Sequence, residues 1–189
     1  MKEYILIFLS LIFADNILFK KMLGLEFALV LRKEKALTPI FWASSVVLTA
    51  LMSVGAWYFE KNSFDQLVCA ALFIIVAVIF GAIFDLSFSK TKASRAFAVA
   101  LSMNTAILGL VFSMSSVDSL SKALVIGLSH GVGLMLSSVL MNCIEENVRF
   151  ARPPKFLGKA LLTLVCVAIV AMAFSAFDGF ALRYENINS

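Results

Sequence analysis

The sequence predicts an all-α integral membrane protein with six transmembrane helices, and three observations predict it. First, 61% of the 189 residues are hydrophobic and 15% charged, with a mean hydropathy of +0.97. Soluble domains hold roughly 45–50% apolar and about 25% charged residues. Second, the apolar residues are gathered into runs, five of which have 18 residues or more and no charge beyond Arg95. About 20 helical residues cross a hydrocarbon core at about 1.5 Å each, and a backbone in lipid must satisfy its own hydrogen bonds. Third, the basic residues are unevenly divided between alternate connections.

The first run, residues 4–19 (YILIFLSLIFADNILF), is short for a crossing and is interrupted at Asp15-Asn16 before Lys20-Lys21. A second apolar piece, residues 22–31, holds Gly24 and Glu26 and is too short to cross alone. Together they predict a first membrane helix followed by a re-entrant or interfacial segment, a broken element tolerated where protein or a cavity covers it. After the charged Arg32-Lys33-Glu34-Lys35, Thr38-Pro39 reads as the cap and first turn of the second crossing, residues 38–59. Its Trp42 and Trp57-Tyr58 are placed for the two headgroup levels, or for ordinary packing.

Residues 67–84 form the third crossing. The fourth, residues 94–117, is the run around which the chain is organised, because it places Ser102, Asn104 and Thr105 in the middle of an apolar stretch. Polar groups at that depth face protein, water or a ligand. The fifth crossing, residues 123–144, carries Gly127, His130, Gly131 and Gly133; Pro153-Pro154 then end any helical continuation, and residues 160–177 are the sixth. The chain reads as one membrane domain, 1–189.

With an external amino terminus, twelve of the sixteen Lys and Arg residues fall in internal connections, leaving Lys2, Lys61, Lys122 and Arg183 outside. The positive-inside rule therefore predicts a multi-pass protein of a bacterial or archaeal cytoplasmic (inner) membrane with both termini external. Three crossings per half permit inverted repeats, 1–93 and 94–189. The excess of basic residues is read as orientation and not as affinity for nucleic acid. The amino terminus lacks the small-residue cleavage site of a targeting peptide and reads as retained. Cys69, Cys143 and Cys166 lie singly, without metal-site spacings, and read as buried small hydrophobes.

The candidate ion or gating residues are Asp15, Asn16, Glu26, Asn104 and Thr105. Breaks in membrane helices expose backbone groups and terminal dipoles that surround an ion or substrate, or else polar side chains there secure interhelical packing. Glu26 pairs with a basic group, faces a cavity, or reaches the internal surface beside Lys20, Lys21 and Arg32. His130 is a secondary candidate for a proton path, since a free imidazole titrates near neutrality, but one histidine makes neither a metal site nor a nucleophilic pair. The three glycines beside it suit close packing or a bend. No phosphate cradle, dinucleotide loop or catalytic triad is present in the sequence.

LGLEF at residues 23–27, MNTAILG at 103–109, DNILFKKMLGL at 15–25 and FSAF at 174–177, on six crossings, resemble the Rnf/Nqr membrane-subunit family over nearly the whole chain. The external amino terminus is similar to the RnfA/NqrE branch. The resemblance implies an antiparallel, pseudo-symmetric pairing with an RnfE/NqrD-like membrane subunit. It also implies further redox subunits, in a respiratory complex coupling electron transfer to sodium or proton translocation. Members place one cysteine after the LGL motif and another after Asn in the second motif, and two from each partner hold a membrane-embedded [2Fe-2S] cluster. Here those positions are Glu26 and Thr105. A carboxylate and a hydroxyl do not replace thiolates at iron.

The expected function is thus a membrane subunit of an Rnf/Nqr-like ion-translocating electron-transport complex, in a scaffold or ion-pathway role without the conventional cluster contribution. Electron transfer through an unusual iron-sulfur site and a standalone small-molecule or ion transporter are the alternatives.

Overall fold

The computed structural model describes residues 2–24, 38–62, 65–88, 99, 105–112, 114, 117–150 and 159–177. Among them are seven helices and no strand: α1 Lys2–Phe13, α2 Ile17–Lys21, α3 Thr38–Lys61, α4 Gln66–Phe88, α5 Thr105–Phe112, α6 Leu120–Phe150 and α7 Lys159–Ser175. Three stretches are long and apolar enough to cross a membrane, Trp42–Lys61, Leu67–Ser87 and Leu120–Val148, and Glu3–Phe13 and Leu161–Ser175 are shorter apolar helices.

Local chemistry sets most of the boundaries. The Thr38-Pro39 start of α3 is found as expected. The Asp65 carboxylate accepts the Leu67 N–H at 3.1 Å, and the Ser119 hydroxyl accepts the Lys122 N–H at 3.3 Å, opening α4 and α6 with side-chain caps. Two boundaries differ from expectation. In the fourth run the described helix stops at Phe112, and the chain turns through Met114, whose carbonyl accepts the Val117 N–H at 3.1 Å. The serine-rich SMSS sequence at 113–116 favours such a turn over helix. Conversely, α6 passes Ile144 and continues to Phe150. Charge at residues 145–149 ends an apolar crossing without ending a helix.

The most extensive packing is between α3 and α6, which run antiparallel with Gly127 against Ser53 and Gly131 against Thr49. A Cβ on Gly127 would lie 2.8 Å from the Thr49 carbonyl oxygen, and one on Gly131 would lie 2.8 Å from the Val46 Cα. Glycine is needed at both positions because the obstacle is backbone. This is the small-xxx-small spacing by which membrane helices approach closely, where dispersion and not hydrophobic transfer drives association. The buried hydroxyls along the interface are closed internally. Ser45, Thr49, Ser53, Ser129 and Ser138 each donate to a carbonyl three or four residues back on their own helix, at 2.6–3.0 Å.

Two apolar clusters flank this seam. One joins α3, α4 and α5 through Leu48, Met52, Phe73, Leu110 and Met114. The other seats α2 against α6 and α7, with the Phe19 and Phe174 rings 4.7 Å apart. Trp42 and Trp57 pack against the first cluster, and the Lys61 ammonium lies 5.1 Å from the Trp57 ring; Tyr58 points outward. Leu67, Ile75, Ile79, Ile83 and Leu86 of α4 are exposed, the pattern of a lipid-facing surface. Of the cysteines, Cys69 is buried and Cys166 half-buried, but Cys143 is exposed on α6, contrary to the expectation that all three are buried.

Helices α1 and α6 run side by side in the same direction. The Lys122 ammonium meets the Glu3 carboxylate at 2.8 Å at one end, and Asn16 meets Gly133 further along. Hydrogen bonding and charge from Lys122 hold the Glu3 carboxyl below its usual range, and Glu3 raises Lys122. The Glu3 contribution is present above its ordinary pKa and lost as pH falls through the lowered value. The Lys122 contribution is present below its ordinary pKa and lost as pH rises through the raised one. Because the pair is solvent-exposed, Glu3→Gln is expected to shift the thermal midpoint little at neutral pH and not at all in acid, as a melting series would show.

Candidate functional site

The first membrane segment is broken as the sequence predicts, and the break is built around one side chain. Helix α1 ends at Phe13, where the Ala14 and Asp15 N–H groups both donate to the Ser10 carbonyl at 2.7 and 2.8 Å. Asn16, 1% exposed, then caps α2: its Oδ1 accepts the Leu18 N–H at 3.1 Å and the Phe19 N–H at 3.4 Å. Its Nδ2 donates backwards to the Ile12 carbonyl at 2.9 Å and across to the Gly133 carbonyl of α6 at 3.3 Å. The Ser137 hydroxyl lies 2.8 Å from both Asn16 Oδ1 and the Gly133 carbonyl and shares its proton between them. One amide thus satisfies the end of α1, the start of α2 and the flank of α6.

The break lies beside Gly133, about 16 Å along α6 from Lys122. Asp15 sits in it, half-buried, with Lys20 Nζ at 3.5 Å from one carboxylate oxygen and Lys21 Nζ at 3.9 Å from the other. Both lysines belong to the last turn of α2, where the helix dipole favours cations. The helix closes on Met22 in the left-handed region (φ 55°), followed by Gly24 (φ 84°). The Gly24 N–H donates to the Thr105 hydroxyl at 2.9 Å, tying the end of α2 to the first residue of α5.

The structure therefore places Asp15 and Asn16 together at the break and Thr105 at its far end. Glu26 and Asn104 lie outside the described residues. His130 is 2% exposed; its Nδ1–H donates to the Ile126 carbonyl at 2.9 Å, and its Nε2 is buried without a partner among the described residues. The spacing of His130, Gly133 and Ser137 puts all three on one face of α6. Sequence reasoning passed over Ser137. Its signal was only its place one turn beyond Gly133, in a helix that also carries Ser129 and Ser138.

The described residues do not fit an iron-sulfur cluster of the kind the resemblance implies. Thr105 presents a hydroxyl engaged by a backbone N–H where a thiolate would be needed. Cys69, Cys143 and Cys166 stand on three different helices, α4, α6 and α7, and no group of three or more His, Cys, Asp or Glu among the described residues could hold a metal ion.

Comparison with known proteins agrees with this architecture. The family described as Rnf-Nqr subunit, membrane protein, matches residues 4–181. A protein of Yersinia pestis (strain Pestoides F), named as one of the subunits of the ion-translocating oxidoreductase complex, is 28% identical over 192 residues, covering 95% of this chain and 98% of that protein. The proteins of the same name from Yersinia pseudotuberculosis serotype O:1b and Yersinia enterocolitica serotype O:8 match with equal identity and coverage. An all-helical chain with three long apolar spans and a family match over almost its whole length is a multi-pass membrane protein, and it belongs to the Rnf-Nqr membrane-subunit family.

Proposed function

We propose that the chain is an inner-membrane subunit of an Rnf/Nqr-like ion-translocating electron-transport complex, supplying scaffold and ion-pathway elements in place of cluster ligands. The observation that carries this reading is the charged break in the first segment: a carboxylate held by two ammonium groups of the short helix that follows it. A cation arriving at Asp15 competes with Lys20 and Lys21, and their release frees α2 to move. In this reading Asn16, Asn104 and Thr105 shape the two interrupted segments, Glu26 adds a second carboxylate beyond α2, and a partner's redox state drives the movement.

An inverted-repeat reading of the sequence points the same way. A shift of 88 residues carries Asn16 to Asn104, and with it the start of α2 at Ile17 to the start of α5 at Thr105. The same shift carries Ser45 and Thr49 of α3 to Gly133 and Ser137 of α6. In both pairs the hydroxyl donates to the carbonyl four residues back, at 3.0 Å for Thr49 and 2.8 Å for Ser137. Such halves suit pairing with an antiparallel RnfE/NqrD-like subunit, and the charge distribution favours both termini outside. The relatives are named as subunits of an oxidoreductase complex, which favours further redox partners for this chain.

The test is ion transport by the purified, reconstituted complex carrying Asp15→Asn with Glu26→Gln. The double variant is expected to assemble and to lose most of its transport, and unchanged transport would overturn the reading.

A further inference from the structure

We propose that Ser137, with the Gly133 carbonyl, is a positioning site through which α6 holds the break of the first segment in register. It stands on geometry alone and holds whether or not ions pass at Asp15.

The described bonds of Asn16 are of two kinds. Within its own segment Asn16 closes α1 through Ile12 and opens α2 through Leu18 and Phe19. Those bonds fix the local bend, but they move with the segment and do not place it. Its two bonds to another membrane helix, each bridging more than a hundred residues, both run to α6: Nδ2 to the Gly133 carbonyl and Oδ1 from the Ser137 hydroxyl. They are directed oppositely, the amide donating at one and accepting at the other, so only one orientation of the Asn16 amide satisfies both.

The site on α6 is also shaped for its occupant. A Cβ at Gly133 would come to 3.4 Å from Asn16 Nδ2 and 3.7 Å from the Leu11 carbonyl oxygen, ordinary contact distances, so the amide lies directly over this face of α6. Ser137 is fully buried, out of contact with bulk solvent, so loss of a partner there is costly. Rotation of α6 that withdraws Ser137 from Asn16 removes one of the three donors at Oδ1 and frees the amide to turn. The cap on Leu18 and Phe19 loosens, and the Lys20-Lys21 end of α2 moves relative to Asp15. The bond therefore couples α6 to a charged cluster that lies on another segment.

Hydrogen–deuterium exchange of the full-length chain in lipid nanodiscs tests the coupling. Ser137→Ala is expected to speed exchange of the Leu18 and Phe19 amides by about five- to tenfold, the effect of one hydrogen bond in a local opening, while α3 and α4 exchange as before. In an Asn16→Ala background, where the latch is already gone, the same substitution is expected to add nothing. Ser137→Cys, close in volume with a weak donor, replaces Ser137→Ala if the latter does not fold. Unchanged exchange at Leu18 and Phe19, a uniform rise over all helices, or an equal effect in the Asn16→Ala background would each overturn the proposal.

Discussion

Gly127→Ala is expected to cost the folded chain about 3 kcal/mol, at the upper end of overpacking penalties in well-packed cores. The new methyl would meet Ser53 Oγ and Cβ, and also the Thr49 carbonyl oxygen at 2.8 Å, which no rotamer change removes. The helices must separate, and separation loosens the equally close Gly131 contact one turn away. Alanine's better helix propensity returns less than about 1 kcal/mol. Gly133→Ala is the matched control. Its Cβ finds neighbours no closer than 3.4 Å, so its unfolding midpoint in a denaturing-detergent titration should stay near that of the wild type. Equal midpoints for the two variants would show that the α3–α6 approach is less tight than described.

The second large effect is expected for Asn16→Leu, which keeps the branching of the side chain and removes every polar contact that Asn16 makes. Loss of an Asn cap costs roughly 0.5–2 kcal/mol, and each buried group left without a partner about 1–3 kcal/mol. Leu18 and Phe19 lose a shared acceptor and Ile12 its donor, while the Gly133 carbonyl keeps Ser137. A total of about 3 kcal/mol or more follows, concentrated in the first segment. Asn16→Asp should be nearly as damaging, because a carboxylate in this dry position is costly when charged and keeps none of the amide's donors. Denaturing-detergent titration of both variants would measure the loss, and an Asn16→Leu midpoint equal to wild type would show that the break is satisfied by other groups.

The break could be read from the sequence because Asp15-Asn16 interrupts an apolar run within five residues of two lysines, and lipid tolerates such a pair only under cover. The start of α3 was legible for a similar reason: Thr38-Pro39 carries its chemistry locally. The overrun of α6 was not legible from hydropathy, which records where lipid ends and not where a helix ends. Nor was Ser137. Its decisive partner is 121 residues away, and nothing in the sequence distinguishes it from Ser129 or Ser138, which bond within their own helix. Cys143 was misjudged because a thiol in an apolar run looks the same whether it points inward or outward.

The hydroxyls of the α3–α6 seam have a consequence for conduction. A relay for protons needs neighbouring groups that pass a hydrogen from one to the next, yet here each hydroxyl proton is committed to a carbonyl of its own helix. The seam is polar in composition and insulating in behaviour.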